Sequence, residues 1–442
     1  RGLEVIQDDA YNVVIKKAGS RGAEDHAPVM LQGHMDMVCE KRAGVEHDFE
    51  KDGLDLIIRD GRLTANGTTL GGDNGVAVAL MLMVLDDDEI EHPPVECVFT
   101  TEEEVGLNGA KALDKSVLKA RTMINMDSED EGVATVSCAG GLRVQFTKEI
   151  KRTTVQGSLL TLKVEGLLGG HSGQDIDKER QNADLLMARM IQRLLKETKG
   201  QLVSFNGGTK DNAIPRECEA SLIYESDEEA AKAEELACEL AETYAEELTP
   251  AEPDFSCEIS CETNRTAEAI PQDAAKEFIC AMRLAPNGIQ KRNIKMDGFV
   301  VVSLNLGVVR TEEDRIVMIF SPRSSVASLQ EDTKERLNTL AETFGFTVSH
   351  SSEYPGWSFK EDSPVREICK ESYKELFGED LKIEAIHAGL ECGLFSDAIK
   401  GLDAIAIGPT IANCHTPDEY LTLDSFERFY EFLKDILSRL AK

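Results

Sequence analysis

Short apolar runs that end in a histidine or an acidic residue recur through the first third of the chain. Three of them are Pro28–Gln32 before His34, Val95–Thr101 before Glu102–Glu104, and Met123–Met126 before Asp127. Such runs are typical of buried strands, and ligands of open α/β sheets collect beyond the carboxyl ends of these strands. The segment Val76–Leu85 is longer and rich in Ala, Leu and Met, which predicts a buried helix. The sequence therefore predicts an α/β domain with a candidate site at its strand ends.

The middle of the chain has a different pattern. Ser226 and Glu229 form a capping box, and apolar residues then recur at every fourth position up to Leu248, which predicts an amphipathic helix. A second helix is predicted over about residues 182–199. Strand-like runs surround both helices, as is typical of an α+β domain. From about residue 353 the α/β pattern returns, and it closes with a predicted helix that begins at Asp424.

The charge of the chain excludes several classes of partner. Its 48 Lys and Arg residues are outnumbered by 81 Asp and Glu residues, which gives a formal net charge of −33. Nucleic-acid phosphates and anionic membrane surfaces would repel such a chain. Because 41% of the residues are hydrophobic and no apolar run is long enough to cross a bilayer, we expect a soluble globular protein. The 11 cysteines lack the regular spacing of a disulfide framework, which indicates a reducing compartment and hence the cytoplasm.

Histidine is rare, with eight in the chain, so the position of each one is informative. His34 follows a predicted strand, and Asp36 lies two residues further on, where its carboxylate could accept the second ring N–H. Taken alone, this pattern fits a metal ligand and a hydrogen-bonded core histidine equally well. Asp73 lies in the glycine-rich turn Leu70–Gly75 before the buried helix, where a turn with a helix cap is the simpler interpretation.

The acidic run Glu102–Glu104 is harder to explain without a ligand. Three adjacent carboxylates repel one another, and either a cation or full solvation must relieve the repulsion. His415 is delivered by a proline-punctuated loop late in the chain. Two histidines and three carboxylates at strand ends make a mixed nitrogen and oxygen donor set, which suits a pair of zinc-like ions with one bridging carboxylate.

Eight ordered motifs resemble those of a known enzyme family. They are His34–Asp36, Gly71–Gly75, Glu103–Gly106, Asn125–Glu129, Gly169–Gly173, Asn212–Arg216, His387–Gly393 and Cys414–Glu419. With these motifs the chain resembles the co-catalytic di-zinc peptidases related to carboxypeptidase G and aminoacylase, and within them the aminoacyl-histidine dipeptidase branch. The resemblance extends from near residue 1 to the end of the chain. Members of this family begin with a helical segment before the first strand, so we expect the start of the catalytic domain to be incomplete.

The resemblance implies a complete catalytic centre. One metal ion is implied on His34 and Asp127, the other on Glu104 and His415, with Asp73 bridging them. Glu103 is implied as the general base, and Asp36 as the catalytic residue that orients His34. We expect two divalent ions, with zinc favoured and manganese or cobalt as alternatives. Such a pair activates a water for attack on a peptide carbonyl, while the base takes the proton of that water and delivers it to the leaving amine.

Four further residues are predicted to contact the substrate. The resemblance implies that His171 steadies the tetrahedral oxyanion, although a surface turn is the alternative. Asn212 and Arg323 are implied as partners of the C-terminal carboxylate, and Arg323 could equally be a surface charge. Glu391 is a candidate partner for a free α-amino group, on the ground of charge complementarity.

The ligands constrain the architecture because most of the chain lies between Asp127 and His415. The intervening chain must leave the catalytic core and return, which predicts a catalytic domain over residues 1–141 and 355–442 with an inserted lid and dimerisation domain over residues 142–354. We expect a homodimer that hydrolyses unblocked dipeptides. Two alternatives stay open: an amidohydrolase that removes acyl groups from amino acids, and a catalytically dead oligomeric scaffold. The intact ligand set together with Glu103 argues against the scaffold.

Overall fold

A computed structural model describes residues 2–294 and 298–442, which divide into two compact units. We call the first the discontinuous unit, since it combines the chain up to Cys138 with Gly356–Lys442. The second is the inserted unit, Ala139–Pro355. The domain boundaries expected from the sequence, at 141/142 and 354/355, fall close to these positions.

Strands and helices alternate along the described chain. The strands are β1 (Glu4–Gln7), β2 (Val13–Lys17), β3 (Val29–His34), β4 (Leu56–Arg59), β5 (Arg62–Ala65), β6 (Val95–Thr100), β7 (Thr122–Asn125), β8 (Val133–Cys138), β9 (Gly140–Glu149), β10 (Thr153–Glu165), β11 (Gly170–His171), β12 (Gln201–Gly207), β13 (Ala213–Ile214), β14 (Cys218–Tyr224), β15 (Ser256–Ala269), β16 (Gly288–Arg292), β17 (Val300–Thr311), β18 (Arg315–Ser324), β19 (Thr347–Tyr354), β20 (Lys382–Ile386), β21 (Asp403–Ala406), β22 (Ile411–Ala412) and β23 (Tyr420–Thr422). The α-helices are α1 (Gly72–Asp86), α2 (Asn108–Ala112), α3 (Ala183–Glu197), α4 (Asp227–Leu248), α5 (Gln272–Leu284), α6 (Ala327–Thr343), α7 (Pro364–Phe377), α8 (Glu391–Ala398) and α9 (Leu423–Leu440).

A mixed sheet forms the centre of the discontinuous unit. Its strand order is β1-β2-β6-β3-β7-β21-β8-β20. Strand β3 pairs in parallel with β6 on one side and with β7 on the other, whereas β2 joins β6 in antiparallel fashion. Every residue of β3 and β6 is buried, as expected for strands covered on both faces. The predicted α/β fold is confirmed, and the three central strands bring their carboxyl ends to one edge of the sheet.

Helix α1 packs against β3 and contains the predicted buried helix. Its entry turn needs Gly71, whose φ of 67° lies in the left-handed region that glycine adopts without strain. No side chain of the usual N-cap position closes this helix. Instead the buried carboxylate of Glu419 accepts backbone N–H groups from Leu70, Gly71 and Asp73. These contacts fix Asp73 in the first turn of α1.

A nine-stranded sheet forms the inserted unit, in the order β15-β10-β14-β12-β17-β18-β9-β19, with β16 paired to β17. Helix α4 begins after Ser226, whose hydroxyl accepts the N–H of Glu229, so the predicted cap and helix are confirmed. Helix α3 covers the other predicted helix and begins after Asn182. An apolar core fills the space between these helices and the sheet, with Leu186, Phe205 and Phe278 buried in it.

Helix α9 begins one residue before the predicted start and buries Phe429, Phe432, Leu433 and Ile436. Within residues 2–294 and 298–442, the helices fall short of the length and apolar character that a membrane crossing needs.

Candidate active site

Three predicted site segments meet at one edge of the central sheet. His34 is the last residue of β3, Glu103 and Glu104 follow β6, and Asp127 lies two residues after β7. The parallel pairing of β3 with both neighbours places these strand ends side by side. The charged residues that follow the apolar runs in the sequence therefore lie together at one edge of the sheet.

Asp73 and His415 complete the group from outside the sheet. Asp73 comes from the first turn of α1, and His415 lies in the loop between β22 and β23. His415 has a positive φ of 63°, so this loop holds it in a left-handed conformation that residues other than glycine seldom adopt. The same loop ends at Glu419, which binds the backbone around Asp73. One segment thus supplies a candidate ligand and fixes a second one.

The distances define two candidate ligand groups. In the first, His34 Nε2 lies 2.9 Å from Asp73 Oδ1 and 3.5 Å from Asp127 Oδ1. In the second, His415 Nε2 lies 3.2 Å from Asp73 Oδ2 and 3.0 Å from Glu104 Oε1. Each group brings its donor atoms close enough together to hold a metal ion, and Asp73 turns one oxygen toward each histidine. Its carboxylate is therefore placed as a bridge would be.

The carboxylates of the two ligand groups stabilise positive charge on the neighbouring histidines, as the pKa values of His34 and His415 show. Burial alone would lower the pKa of His34, yet the nearby carboxylates of Asp127, Asp36 and Asp73 raise it far above its usual range. Hydrogen bonds to Asp73 and Glu104 raise the pKa of His415 to about 10. Burial would raise the pKa of Asp73, but the two imidazoles hold it well below its usual range. Divalent cations would supply the same positive charge to neutral imidazole ligands, so the donor set fits a pair of metal ions.

Glu103 and Glu102 lie in different environments despite being adjacent in the sequence. Glu102 is exposed, whereas Glu103 is partly buried beside the ligand groups. Burial first, and the charge of Asp127 next, raise the pKa of Glu103 to about 9. Without a cation beside it, Glu103 therefore carries a proton at neutral pH, and nearby positive charge would lower its pKa and free the carboxylate.

The Asp36 carboxylate lies within ion-pair distance of the His34 ring, and the backbone oxygen of Asp36 lies closer. His34 Nδ1 lies 3.0 Å from the backbone oxygen of Asp36, and the carboxylate is more distant at 3.5 Å. The Asp36 carboxylate accepts the backbone N–H groups of Glu103 and Glu104, each at 3.1 Å. The backbone oxygen of Asp36, in the turn after β3, is thus the closer of the two acceptors to His34 Nδ1. His34 Nε2 is left facing the candidate metal site, which is the orientation a ligand histidine requires.

Two residues that orient ligands were not singled out by the sequence. Asn74 Nδ2 donates to Asp127 Oδ1 at 2.8 Å and to the backbone oxygen of Met126 at 2.9 Å. Glu419 binds the backbone on both sides of Gly72. Both residues lie inside motifs that carried the family resemblance, so the signal was present as a motif, but the role of the individual side chain depends on the folded geometry.

Glu391 lies in the discontinuous unit at the start of α8 and is fully buried. Its Oε2 accepts hydrogen bonds from Gln32 Nε2 and from Thr100 Oγ1. Its other carboxylate oxygen has no hydrogen-bond partner among the described residues. Burial raises the pKa of Glu391 to about 7, against the hydrogen bond from Thr100, which lowers it. The predicted contact of Glu391 with a substrate amine stays a prediction.

The remaining predicted substrate residues lie in the inserted unit. His171 is the last residue of β11, which pairs with β13, and the N–H of Ser172 donates to the backbone oxygen of Asn212. His171 Nδ1 accepts the backbone N–H groups of Gly173 and Gln174. The ring proton is thereby assigned to Nε2. Burial, and then the charge of Arg323, lower the pKa of His171, so its neutral ring keeps an N–H donor.

Arg323 lies in β18 with 7% of its surface exposed, so the surface-charge alternative does not apply. Its Nη1 donates to the hydroxyl of Tyr354 at 2.9 Å. Its Nε has no hydrogen-bond partner among the described residues. A buried guanidinium with an unused donor is suited to an anionic group, since its fork matches a carboxylate. The charge of Arg323 acts on the His171 ring, and exposed Asn212 is linked to the residue after His171 by a backbone hydrogen bond.

Comparison with known proteins gives a consistent result. A model of the family described as Peptidase family M20/M25/M40 matches residues 30–439. The cytosol non-specific dipeptidase of Escherichia coli strain K12 is 35% identical over 446 residues, which cover 100% of this chain and 91% of that protein. Among solved structures, the aminoacylhistidine dipeptidase of Vibrio alginolyticus aligns with a TM-score of 0.93 at 36% identity, covering 99% of this chain and 89% of that one. An aminopeptidase from Bacillus cereus shares the fold, with a TM-score of 0.55 at 16% identity over 100% of this chain and 90% of its own.

Proposed function

The chain belongs to peptidase family M20/M25/M40, and on that premise we propose that it hydrolyses the peptide bond of unblocked dipeptides, aminoacyl-histidine dipeptides among them. One observation carries the proposal: the groups His34–Asp73–Asp127 and Asp73–Glu104–His415 share Asp73, and Glu103, whose carboxylate also lies close to His34 and Glu104, belongs to neither of them. A full-length relative that is 35% identical is a dipeptidase, which supports the substrate class.

We propose that two divalent metal ions, most suitably zinc, occupy these groups. His34, Asp73 and Asp127 would hold one ion, and Asp73, Glu104 and His415 the other. Imidazole and carboxylate donors in this combination suit zinc, and manganese or cobalt can use the same set. When bound, the ions would supply Lewis acidity to the scissile carbonyl and to the attacking water.

Glu103 is proposed as the general base. Its partly buried carboxylate takes a proton from the attacking water and delivers it to the leaving amine. The Asp36 carboxylate holds the backbone N–H groups of Glu103 and Glu104, so that it fixes the base and a neighbouring ligand together. Asp36 also binds His34 through its backbone oxygen. A single residue thus aligns both strand ends around the base.

The substrate is proposed to meet the residues of the inserted unit through its C-terminal half. Arg323 and Asn212 would bind the terminal carboxylate, for which the guanidinium fork is suited. His171 would donate its Nε2–H to the oxygen that becomes negative in the transition state. Its neutral ring keeps that donor because Nδ1 already accepts two backbone N–H groups.

A substrate screen tests the proposal against the amidohydrolase alternative. The zinc-loaded chain is incubated with a panel of unblocked dipeptides, including aminoacyl-histidine dipeptides, and with N-acetyl amino acids of matching side chains. We expect turnover of the dipeptides and little turnover of the acylated amino acids. Preferential release of acetate would establish the amidohydrolase instead. No turnover of either class, with both metal ions bound, would leave the catalytically dead scaffold.

We also propose a homodimer and a cytoplasmic location. The acidic composition and the scattered cysteines support the compartment. The dimer follows from the family resemblance. Light scattering of the purified chain at several concentrations would give its mass directly.

A further inference from the structure

A cluster of fully buried polar side chains lies behind the candidate metal site. Its members are Gln32, Thr100, Asn125 and Glu391, and each has 0% of its surface exposed. We call these residues the polar cluster. Buried polar groups lower stability unless they are hydrogen-bonded, so a cluster of this size calls for an explanation.

Hydrogen bonds join the polar cluster into one chain. Asn125 Nδ2 donates to Gln32 Oε1 at 2.7 Å. Gln32 Nε2 donates to Thr100 Oγ1 at 3.1 Å and also to Glu391 Oε2. Thr100 Oγ1 donates to the same Glu391 oxygen at 2.7 Å. The carboxylate of Glu391 is therefore the acceptor on which the chain ends.

The polar cluster connects the three strands that carry the site. Gln32 lies in β3 two residues before His34, and Asn125 ends β7 two residues before Asp127. Thr100 is the last residue of β6, three residues before Glu103. Each cluster residue on a strand thus lies just before the point at which the chain leaves the sheet to present a site residue. Because β6, β3 and β7 are neighbours in the sheet, one carboxylate from α8 ties all three ends together.

We propose that Glu391 is a positioning residue: through Gln32 and Thr100 it holds the ends of β3, β6 and β7 in the spacing that the metal ligands need, and it does not bind the substrate amine. The proposal rests on the proposed function only for the identity of the reaction. Residues that orient metal ligands typically change metal affinity or activity by about 10–100-fold when they are removed. Glu391 does not bond a metal ligand directly. It bonds Gln32 and Thr100, which belong to the strands that carry the ligands.

The position of the charge separates this role from amine recognition. Glu391 Oε2 accepts both hydrogen bonds, while the other oxygen has no partner among the described residues. A glutamine at this position keeps one carbonyl oxygen and can accept both bonds. Leucine keeps the bulk but accepts neither, so Gln32 Nε2 would keep only its bond to Thr100 and the Thr100 hydroxyl only a long one of 3.4 Å to the backbone oxygen of Gly33. Positioning therefore survives Glu391→Gln, whereas recognition of a cationic amine does not.

The experiment measures zinc affinity and turnover for Glu391→Gln and Glu391→Leu. Zinc affinity is obtained by competition with a chromophoric chelator, and kcat and KM are measured with a dipeptide and with its N-acetylated form. We expect Glu391→Gln to stay within a few-fold of the parent chain in zinc affinity and in kcat. Glu391→Leu should lose about 10–100-fold in zinc affinity, with kcat falling more than KM changes. Thr100→Val, which removes one donor and keeps the shape, should move in the same direction by less.

Glu96→Leu is the matched control. Glu96 is also a buried glutamate that accepts two N–H groups, those of Lys119 and Ala120, but it lies near the other end of β6. We expect it to lower the melting temperature without changing zinc affinity. Equal zinc affinity in Glu391→Leu and Glu96→Leu would overturn the proposal in favour of a purely structural role. Loss of turnover in Glu391→Gln, confined to unblocked dipeptides, would overturn it in favour of amine binding. If the parent chain cleaves no dipeptide at all, the proposed function fails, and the order of zinc affinities still decides the role of Glu391.

Discussion

In the discontinuous unit, partly buried carboxylates lie beside one another at one edge of the central sheet and share two imidazoles. In the inserted unit, Asp184 is buried in the first turn of α3, and within the part of the chain that the structure describes neither of its oxygens accepts a hydrogen bond from a nitrogen or oxygen donor. Its neighbour is the weakly donating thiol of Cys218. Both regions bury acidic groups, but the consequences for protonation differ.

The burial of an acid can be relieved by a proton. In the inserted unit, burial raises the pKa of Asp184 to about 8, against the hydrogen bond from Cys218 and the charge of Arg310, so this carboxyl group is mostly neutral at pH 7. In the discontinuous unit, Asp73 keeps its charge by drawing protons onto His34 and His415 or, as we propose, by binding metal ions. The comparison suggests that clustered charge marks a site, while an isolated neutral acid marks a structural position.

Among the substitutions that test this comparison, Glu103→Gln should have the largest effect on kcat. The amide cannot accept the proton of the attacking water, while the metal ligands are untouched, so kcat should fall by about 10²–10⁴-fold or more. Zinc content, measured by elemental analysis, should stay at the parent value. Glu102→Gln is the control. Glu102 is exposed and adjacent to Glu103, so this variant should keep the kcat of the parent chain. Full turnover in Glu103→Gln would move the base to another residue.

Metal stoichiometry tests the bridging arrangement. The parent chain should saturate at two zinc ions, and His415→Ala should retain one, since His34, Asp73 and Asp127 still surround the first position. His350→Ala is the control, because this exposed histidine lies in the inserted unit and contacts Asn338. Saturation of the parent chain at one ion with full activity would contradict the bridged pair.

Local sequence patterns predicted much of the catalytic framework. A buried strand shows itself by its apolar run, and the residue after it is next to the strand end whatever the rest of the chain does. For that reason His34, Glu104 and Asp127 could be placed at strand ends before the fold was known. The family that the motifs resembled is confirmed by the comparison with known proteins.

Contacts that depend on strand register could not be predicted in the same way. Gln32 is opposite Asn125 only because β3 and β7 pair with that register, and Thr100 is opposite His34 for the same reason. Glu391 was predicted to contact a substrate amine because of its charge. The sequence does not show that Glu391 is buried at the start of α8, where it accepts hydrogen bonds from Gln32 and Thr100. The Asp36 carboxylate lies 3.5 Å from the His34 ring, but the sequence could not show that the backbone oxygen of Asp36 comes closer, because that contact depends on the geometry of the turn.

Arg323→Ala tests whether a charged residue of the inserted unit binds the substrate. If the guanidinium binds the terminal carboxylate, its removal should lower kcat/KM for unmodified dipeptides by about tenfold or more, on the scale of about 1–3 kcal/mol for a buried polar group left unpaired. C-terminally amidated dipeptides should be poor substrates of both chains and should change little. Arg189→Ala is the control, because Arg189 forms a surface ion pair with Glu247 in the same unit. Equal losses for both substrates would assign Arg323 to stability alone.

The smallest expected effect is on the isolated acid, Asp184→Asn. Because the folded-state pKa of about 8 lies above the ordinary value of 3.8, folding favours the neutral form, and the free energy of unfolding is unaffected below about pH 4 and falls as the pH rises toward 8. The full shift would correspond to about 4 kcal/mol at pH 7. Asparagine removes this penalty but buries an unpaired amide, which costs about 1–3 kcal/mol. We therefore expect a net gain of about 1–3 kcal/mol at pH 7 that becomes a net loss of similar size toward pH 4, where the ionisation penalty vanishes and the cost of the amide remains. Calorimetric melting across this pH range, with exposed Asp177→Asn as control, measures it, and a gain that does not vary with pH would show that Asp184 is charged in the folded protein after all.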